Sequence, residues 1–360
     1  MTSLTKKYLI NGPYNVVRLT NEDKVIYIFG ETHIKNTSCE YNDNFDSIDI
    51  DKLLFKFMKT EKKKEFDIFI ETNNNLQHFY KQKYNNPSYL GELRKLYKFN
   101  KYIDYNNNTI INKNYSNFRF HFFDIRNFLE YRIHEYVYNT NYDWYNLYEL
   151  NMLINKFIDF ENYLKNFEDI LYKNTFIQKL LNKYENEKIK VIINKLFNEL
   201  VIKNIKNIKE RINAFIKNTK KYIEKYKKIY NEFPVTNSEI KLFRKKITIK
   251  MEEILDSFMN IEIVLCDLFL IRRILDKNYV KNSIVYTGGF HLIDITYILV
   301  NYFNFKIENS FKPINNLIIK KYNLVNFEYL EKLEKYFMII DDDLDFNQCV
   351  NLFNFPDNFL

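Results

Sequence analysis

The chain is 360 residues long, enough for one large domain or two ordinary ones, and with 46% hydrophobic residues it reads as globular rather than disordered. Its 54 Lys and Arg against 46 Asp and Glu give a net charge of +8, a balance that points to nucleic acid or an anionic membrane where nothing else explains it. Here composition explains it: Phe, Tyr, Ile, Asn and Lys dominate and Ala214 is the only alanine, the pattern of A/T-rich coding, so nucleic acid is not expected as a partner.

In chain order, Val25–Phe29 is a continuous apolar run of strand length, the pattern of a buried parallel strand, and it leads into Gly30-Glu31-Thr32-His33. Asp51–Glu65 sets Leu54, Phe57 and Met58 at helical spacing opposite a lysine-rich face. Asp67–Ile70 reads as a second strand running directly into Glu71. Strand, helix and strand suffice for a right-handed βαβ unit with its strands parallel. Thr72–Lys113 is Asn-rich, with Pro87 and Gly91 as breakers, and is expected to be irregular apart from a short helix near Leu93–Phe99. Phe118–Phe123 reads as a third strand, ending in Asp124-Ile125-Arg126.

From about Phe128 to Tyr230 the period changes to that of helices. Leu150, Leu153, Ile154 and Phe157 follow it, then Ile193, Leu196, Phe197 and Leu200, then Ile205, Ile208, Ile212 and Phe215. Lys203–Lys228 carries ten Lys and Arg against two Glu, and is read as a solvated helix face. Pro234 marks a break, Ser238–Leu255 resumes helix, and Ile261–Leu275 predicts a buried helix bearing Asp267, Arg272 and Arg273. A fourth strand, Ser283–Tyr286, then leads through Gly288-Gly289-Phe290-His291 into a helix over Ile293–Tyr302. Beyond Pro313 a helix is expected at Phe327–Phe337 and an acidic cluster at Asp341–Asp345.

Cys39, Cys266 and Cys349 are isolated, without CxxC spacing, so neither a disulfide framework nor a structural zinc site is expected and a reducing compartment fits better. No uncharged run approaches the ~20 residues that span a bilayer, and the first residues lack the apolar core of a signal peptide. The expectation is a cytoplasmic protein with no membrane span.

Four apolar runs thus end in Gly30-Glu31-Thr32-His33, Glu71, Asp124-Ile125-Arg126 and Gly288-Gly289-Phe290-His291. Ligand sites of open α/β sheets lie just outside the carboxyl ends of the strands. Of five histidines in all, two sit at matching positions of one Gly-x-x-His motif, and Gly30 and Gly288 are expected to turn the backbone sharply and let it approach a ligand. His33, Glu71 and His291 can hold one divalent ion, Mn, Co or Zn, with a position left open for water. Without metal the same groups serve as general bases, with Arg126 orienting a carboxylate or a developing oxyanion. Asp124 adds a carboxylate, and Glu31 is assigned to orient an imidazole from behind. His78, His121 and His134 are read as structural. No phosphate-cradling Gly-rich loop is present.

The order of these motifs resembles the superfamily that joins TraB/TIKI-type proteins to erythromycin-esterase and ChaN-like proteins. Its members have a strand followed by Gly-x-x-His, often Gly-Glu-x-His as at Gly30–His33, then a Glu ending a second strand, as Glu71 does. An Asp-x-Arg-like element comparable to Asp124-Ile125-Arg126 follows. The family closes with a helix bearing a basic residue, here Arg272 or Arg273, then a strand and a second Gly-x-x-His. The likeness covers roughly residues 24–126 and 256–308; residue 34 is Ile where the esterase and ChaN-like branch commonly has Gly. It implies a metal-dependent peptidase, an esterase with a histidine base, or a haem-binding protein, and makes Gly30, Gly288, Arg272 and Arg273 cofactor-side candidates.

The expectation is therefore an α/β protein with a mixed, largely parallel sheet flanked by helices and a long all-helical insertion. Residues 1–127 and 256–312 form the halves of the core, 128–255 the insertion and 313–360 a helical, acidic tail. The expected function is a metal-dependent hydrolase of peptide or ester bonds acting on a peptide or small-molecule substrate. A non-catalytic haem or small-ligand binder, or a degenerate structural relative, is the alternative.

Overall fold

The computed structural model describes residues 8–32, 39, 46–72, 89–93, 103–104, 109–112, 115–126, 147–232, 238–312 and 348–356. The first strands are β1 (Tyr8–Asn11), β2 (Asn15–Asn21), β3 (Lys24–Glu31) and β4 (Asp46–Asp49), followed by α1 (Ile50–Thr60) and β5 (Phe66–Ile70). Then come β6 (Ile103–Asp104), β7 (Thr109–Asn112) and β8 (Tyr115–Phe122). The helical region comprises α2 (Leu147–Lys173), α3 (Thr175–Asn182), α4 (Glu187–Leu196), a π-helical stretch (Phe197–Ile202), α5 (Lys203–Glu232) and α6 (Ser238–Asp276). It is followed by β9 (Asn282–Gly288), α7 (Gly289–Tyr302), β10 (Lys306–Ser310) and β11 (Cys349–Val350).

The chain is a mixed α/β protein. Its main sheet has the order β10-β2-β3-β9-β5-β8-β7-β6, and a small sheet has the order β11-β1-β4. The four central strands β3, β9, β5 and β8 are mutually parallel, as their continuous apolar runs require, because a parallel strand is buried on both faces. The edges are antiparallel: β2 folds back on β3, β10 on β2, and β7 on β8. The β2–β3 hairpin turns at Glu22, whose φ of 41° is left-handed. That turn lacks the Asn-Gly signature that would mark it in sequence. The expected strand–helix–strand unit is present as β3, α1 and β5, with β9 lying between its two strands.

Helices cover both faces. On one, Phe57 of α1 packs edge-on against Phe66 of β5 and Phe118 of β8, ring centroids 4.9 and 5.3 Å away. On the other, Leu292 of α7 lies over Gly30 of β3: a Cβ at residue 30 would come within 2.8 Å of its Cδ1. Gly30 sits inside β3, paired with Asn15 on one side and Thr287 on the other. The glycine makes room for α7, and the sharp turn toward a ligand expected there is not found. Gly288 also has ordinary extended backbone, φ −69° and ψ 162°.

The chain divides into two compact units, Met1–Asp124 with Tyr184–Ile189 and Cys266–Leu360, and Ile125–Lys183 with Lys190–Leu265. The second unit is helical, and its core includes Phe160, Tyr163 and Phe167 ranged around Phe258. Where two helices were expected over Ser238–Leu255 and Ile261–Leu275, α6 is one helix of 39 residues; no Gly or Pro falls between those stretches to break it. In the stretch expected to be irregular, residues 89–93 are helical and β6 and β7 are strands. The tail helix at Phe327–Phe337 and the cluster at Asp341–Asp345 lie outside the described residues.

One expectation is overturned. Cys39 and Cys349 form a disulfide across a sequence separation of 310, with Cα atoms 5.0 Å apart. Both meet at Asn11, which pairs with Cys349 in the sheet and accepts the Cys39 N–H at its side-chain oxygen, 2.7 Å away. Spacing alone cannot reveal such a pair. Cys266 is free and buried, as expected.

Phe57 is 1% exposed and joins α1 to two parallel strands. Phe57→Ala is expected to destabilise the protein by about 3–5 kcal/mol, read from denaturant midpoints at unchanged slope.

Candidate active site

The carboxyl ends of β9 and β5 lie side by side, with Tyr286 level with Ile70. Glu71 follows β5 directly and is buried. Its Oε2 accepts the Gly288 N–H at 2.7 Å and the Thr287 hydroxyl at 3.1 Å, across 217 and 216 residues of sequence. Gly288 is the N-cap of α7 and has no side chain to offer the helix, so a carboxylate from the neighbouring strand supplies the negative charge that a helix N-terminus favours.

His291 stands in the first turn of α7, buried, with the edge of Phe123 against its ring at a centroid distance of 5.7 Å. Its Nδ1 donates to Asp267 Oδ1 at 2.6 Å, because an ionised carboxylate can only accept. Its Nε2 faces Glu71 Oε1 at 3.6 Å, an ion-pair distance too long for a good hydrogen bond. Burial alone would draw the imidazole pKa down; the carboxylates of Asp267 and then Glu71 overcome it and raise the pKa to about 10. At neutral pH the ring is an imidazolium set between two buried carboxylates.

Asp267 was not among the expected site residues. The role given to Glu31 falls to it, for a reason fixed by the sheet. Gly30 is level with Thr287, and Glu31 with Gly288. Alternation along a strand therefore sends Glu31 to the face opposite Thr287 and Glu71. On that face Glu31 Oε2 accepts the Tyr286 hydroxyl at 2.8 Å and the Leu90 N–H at 3.1 Å. The signal for Asp267 was present in the sequence: it is the one acid inside the apolar run Ile263–Leu270, and its burial requires a partner.

Asp124 is buried beyond β8 and accepts the Cys266 thiol at 3.8 Å, while its N–H donates to Thr72 O at 3.2 Å. Arg126 falls in the second unit and is half-buried. Arg272 lies five residues past Asp267, about 140° further round the helix, with its guanidinium 5.2 Å over the Tyr184 ring. Arg273 lies 6.0 Å over the Tyr279 ring, just before β9 begins, and its charge acts on His121. Both guanidiniums thus lie against tyrosine rings. His33, His78 and His134 lie outside the described residues. His121 is structural as expected: Nε2 donates to Asp67 Oδ1 at 2.7 Å and the ring stacks on Phe69.

For a metal ion the described residues offer two converging donors, His291 Nε2 and Glu71 Oε1. The carboxylate on Nδ1 is the arrangement that aims a histidine's other nitrogen at a cation. Among the described residues no group of three or more His, Cys, Asp or Glu is set to hold one, so the donor set fits only with a ligand from outside them. Among the described residues, too, no helix is long and apolar enough to cross a membrane. In the second unit a groove of about 600 Å³ runs between α5 and α6 over Phe215, Ile247 and Ile254. Its one carboxylate, Glu253, is paired with Arg211 and Lys250, and its lining carries no His or Cys.

A family of unknown function, DUF5847, matches over residues 8–175 and 155–360, and the chain belongs to it. The chain is similar to three proteins of Acanthamoeba polyphaga mimivirus, each 26% identical: uncharacterized proteins R706 and R160, over 98% of this chain and 97% of theirs, and R161, over the whole of both. No solved structure matches.

In the metal-free protein the His291 ring resonances are expected to keep their imidazolium position through pH 8 and to titrate near pH 10. A pKa raised above the unfolded value near 6.5 stabilises the fold fully below that value, and the contribution is lost as pH rises through about 10. Asp267→Asn should move the titration downward; a wild-type midpoint near 6.5 by NMR would contradict the arrangement.

Proposed function

We propose that this member of the DUF5847 family is a hydrolase of ester or peptide bonds, with His291 and Glu71 as its working groups and Asp267 as the positioning residue. The observation that carries the proposal is the buried imidazole held between two carboxylates at the carboxyl ends of parallel strands. The order of motifs resembling the TraB/TIKI and erythromycin-esterase superfamily supports the same reaction class.

The chemistry follows from which atoms are already committed. Gly288 N–H and the Thr287 hydroxyl hold Glu71 Oε2, and Oε1 is the oxygen that faces His291 Nε2 at 3.6 Å; in this proposal it is the working oxygen. Asp267 occupies His291 Nδ1, leaving Nε2 as the working nitrogen. In this proposal His291 Nε2 and Glu71 Oε1 would hold a Mn, Co or Zn ion, with His33, outside the described residues, as the third donor the sequence suggests; such an ion would supply a Lewis acid and an activated water. Because it would replace the Nε2 proton of His291, binding would be favoured by rising pH. Water is the nucleophile toward the carbonyl. The hydroxyl of Thr287 is donated to Glu71 and the Cys266 thiol is buried against Asp124, which argues against a covalent acyl-enzyme.

Protein purified with one of these ions is expected to hold about one equivalent and to hydrolyse an active ester or members of a peptide pool. Glu71→Gln and His291→Ala should abolish both binding and turnover, and Asp267→Asn should reduce them by about 10–100-fold. Intact-mass spectrometry should show no acyl adduct. A trapped adduct, or turnover surviving Glu71→Gln and His291→Ala, would rule this chemistry out. Haem uptake with a visible band and no turnover would favour the ligand-binding alternative.

A further inference from the structure

The segment 348–356 reaches the start of the chain through a small set of bonds. The backbone carbonyl of Gln348 accepts the Gly12 N–H at 2.9 Å, and its side-chain carbonyl accepts the Thr32 N–H at 3.1 Å. The next two residues form β11, which pairs with β1 only at Asn11↔Cys349 and Ile10↔Val350. Gln348 is buried, 1% exposed. Thr32 follows directly on Glu31, the last residue of β3. One residue along from Gln348, Cys349 is bonded to Cys39, and Asn11 fixes the Cys39 N–H.

We propose that Cys39–Cys349 is a redox-operated clasp that fixes the tip of β3. In the oxidised state the bond confines Gln348 beside Gly12 and Thr32, so its two hydrogen bonds form within one covalently closed structure and at high effective concentration. A two-residue strand adds too few ladder bonds to hold the segment by itself. The burial of Val350, Leu352 and Phe355 keeps the segment near. On reduction the S–S bond breaks and takes up two electrons and two protons. Cys39 and Cys349 become thiols, and the dithiol reductant that supplies the electrons becomes its own cyclic disulfide. Cys349 is half-buried, which gives a small reductant a sulfur to attack. The inference concerns the order of the strand tip and stands whether or not the protein is a hydrolase.

The test is amide hydrogen exchange on the full chain, before and after treatment with a dithiol reductant, with alkylation and intact mass counting thiols under native conditions. Reduction is expected to add two labels and to speed exchange at Gly12 and Thr32 by at least about tenfold, leaving the β5 peptide unchanged. In the oxidised protein, Gln348→Ala should speed Thr32 alone, because the acceptor of Gly12 is a backbone carbonyl. Unchanged exchange after full reduction would overturn the proposal. So would acceleration that extends equally to β5, which would make the disulfide a global brace, or free thiols at both positions in protein equilibrated with oxidised glutathione.

Discussion

The insertion of β9 between β3 and β5 is the constraint on which the strand-tip chemistry depends. It brings together segments that are far apart in the chain and sets their register. Glu71, Thr287 and His291 meet because of it. The pleat then sorts the polar residues by parity. Glu71 and Thr287 go to the face covered by α7 and the end of α6, while Glu31 and Tyr286 go to the face covered by α1. A slip of β9 by one residue would send Thr287 to the other face and break the hydrogen bonds that fix Glu71. The large apolar residues of β9, Ile284, Val285 and Tyr286, all fully buried, make that slip costly. Hydrophobic register and polar geometry are therefore one decision.

Two histidine–aspartate pairs lie in the same unit and differ in charge. His121 bonds Asp67 at 2.7 Å, and His291 bonds Asp267 at 2.6 Å, so distance does not separate them. Their other neighbours do. Asp67 also takes a bidentate pair from Arg119, which, with the His121 hydrogen bond, outweighs burial and holds its carboxyl below the usual range. Burial and the charges of Arg273 and Arg119 draw the pKa of His121 down in spite of Asp67. Around His291 the second neighbour is another carboxylate, Glu71, and the proton stays. The first pair is a neutral imidazole beside a satisfied ion pair. The second is a cation between two anions, with its Nε2 turned to Glu71 where β5 ends.

Much of this was legible in the sequence. The four apolar runs became the four parallel strands, since continuous burial on both faces leaves a pattern that needs no partner to be read. Glu71 and His291 were found because each follows such a run. Strands β2, β6, β7 and β10 were not foreseen. They flank the parallel strands in antiparallel pairs, which call for no continuous apolar run, and the turn at Glu22 carries no glycine. Of the two Gly-x-x-His copies, the second ends in His291 beside Glu71, the first ends in His33, outside the described residues, and Gly30 admits Leu292 rather than a ligand. The disulfide was illegible since its partners meet only through β1.

Asp267 is the instructive miss, because its signal is thermodynamic rather than a motif. A carboxylate at 0% exposure is tolerated only where a donor answers it. The positions three and four away on its own helix, Ile263, Val264, Leu270 and Ile271, are apolar, and His291, three residues past Gly288, is brought to it from α7. As a matter of stability alone the arrangement has little to recommend it, since a buried ion pair seldom exceeds well-packed apolar residues of the same volume. The surrounding positions, Leu265, Leu268 and Leu292, show that this fold can fill such space with leucine. What leucine cannot do is hold a proton that a second carboxylate also attracts. A chain that places Asp267, His291 and Glu71 there, each buried, keeps a positive charge between two carboxylates at the carboxyl ends of its strands, and the proposed hydrolysis rests on that arrangement.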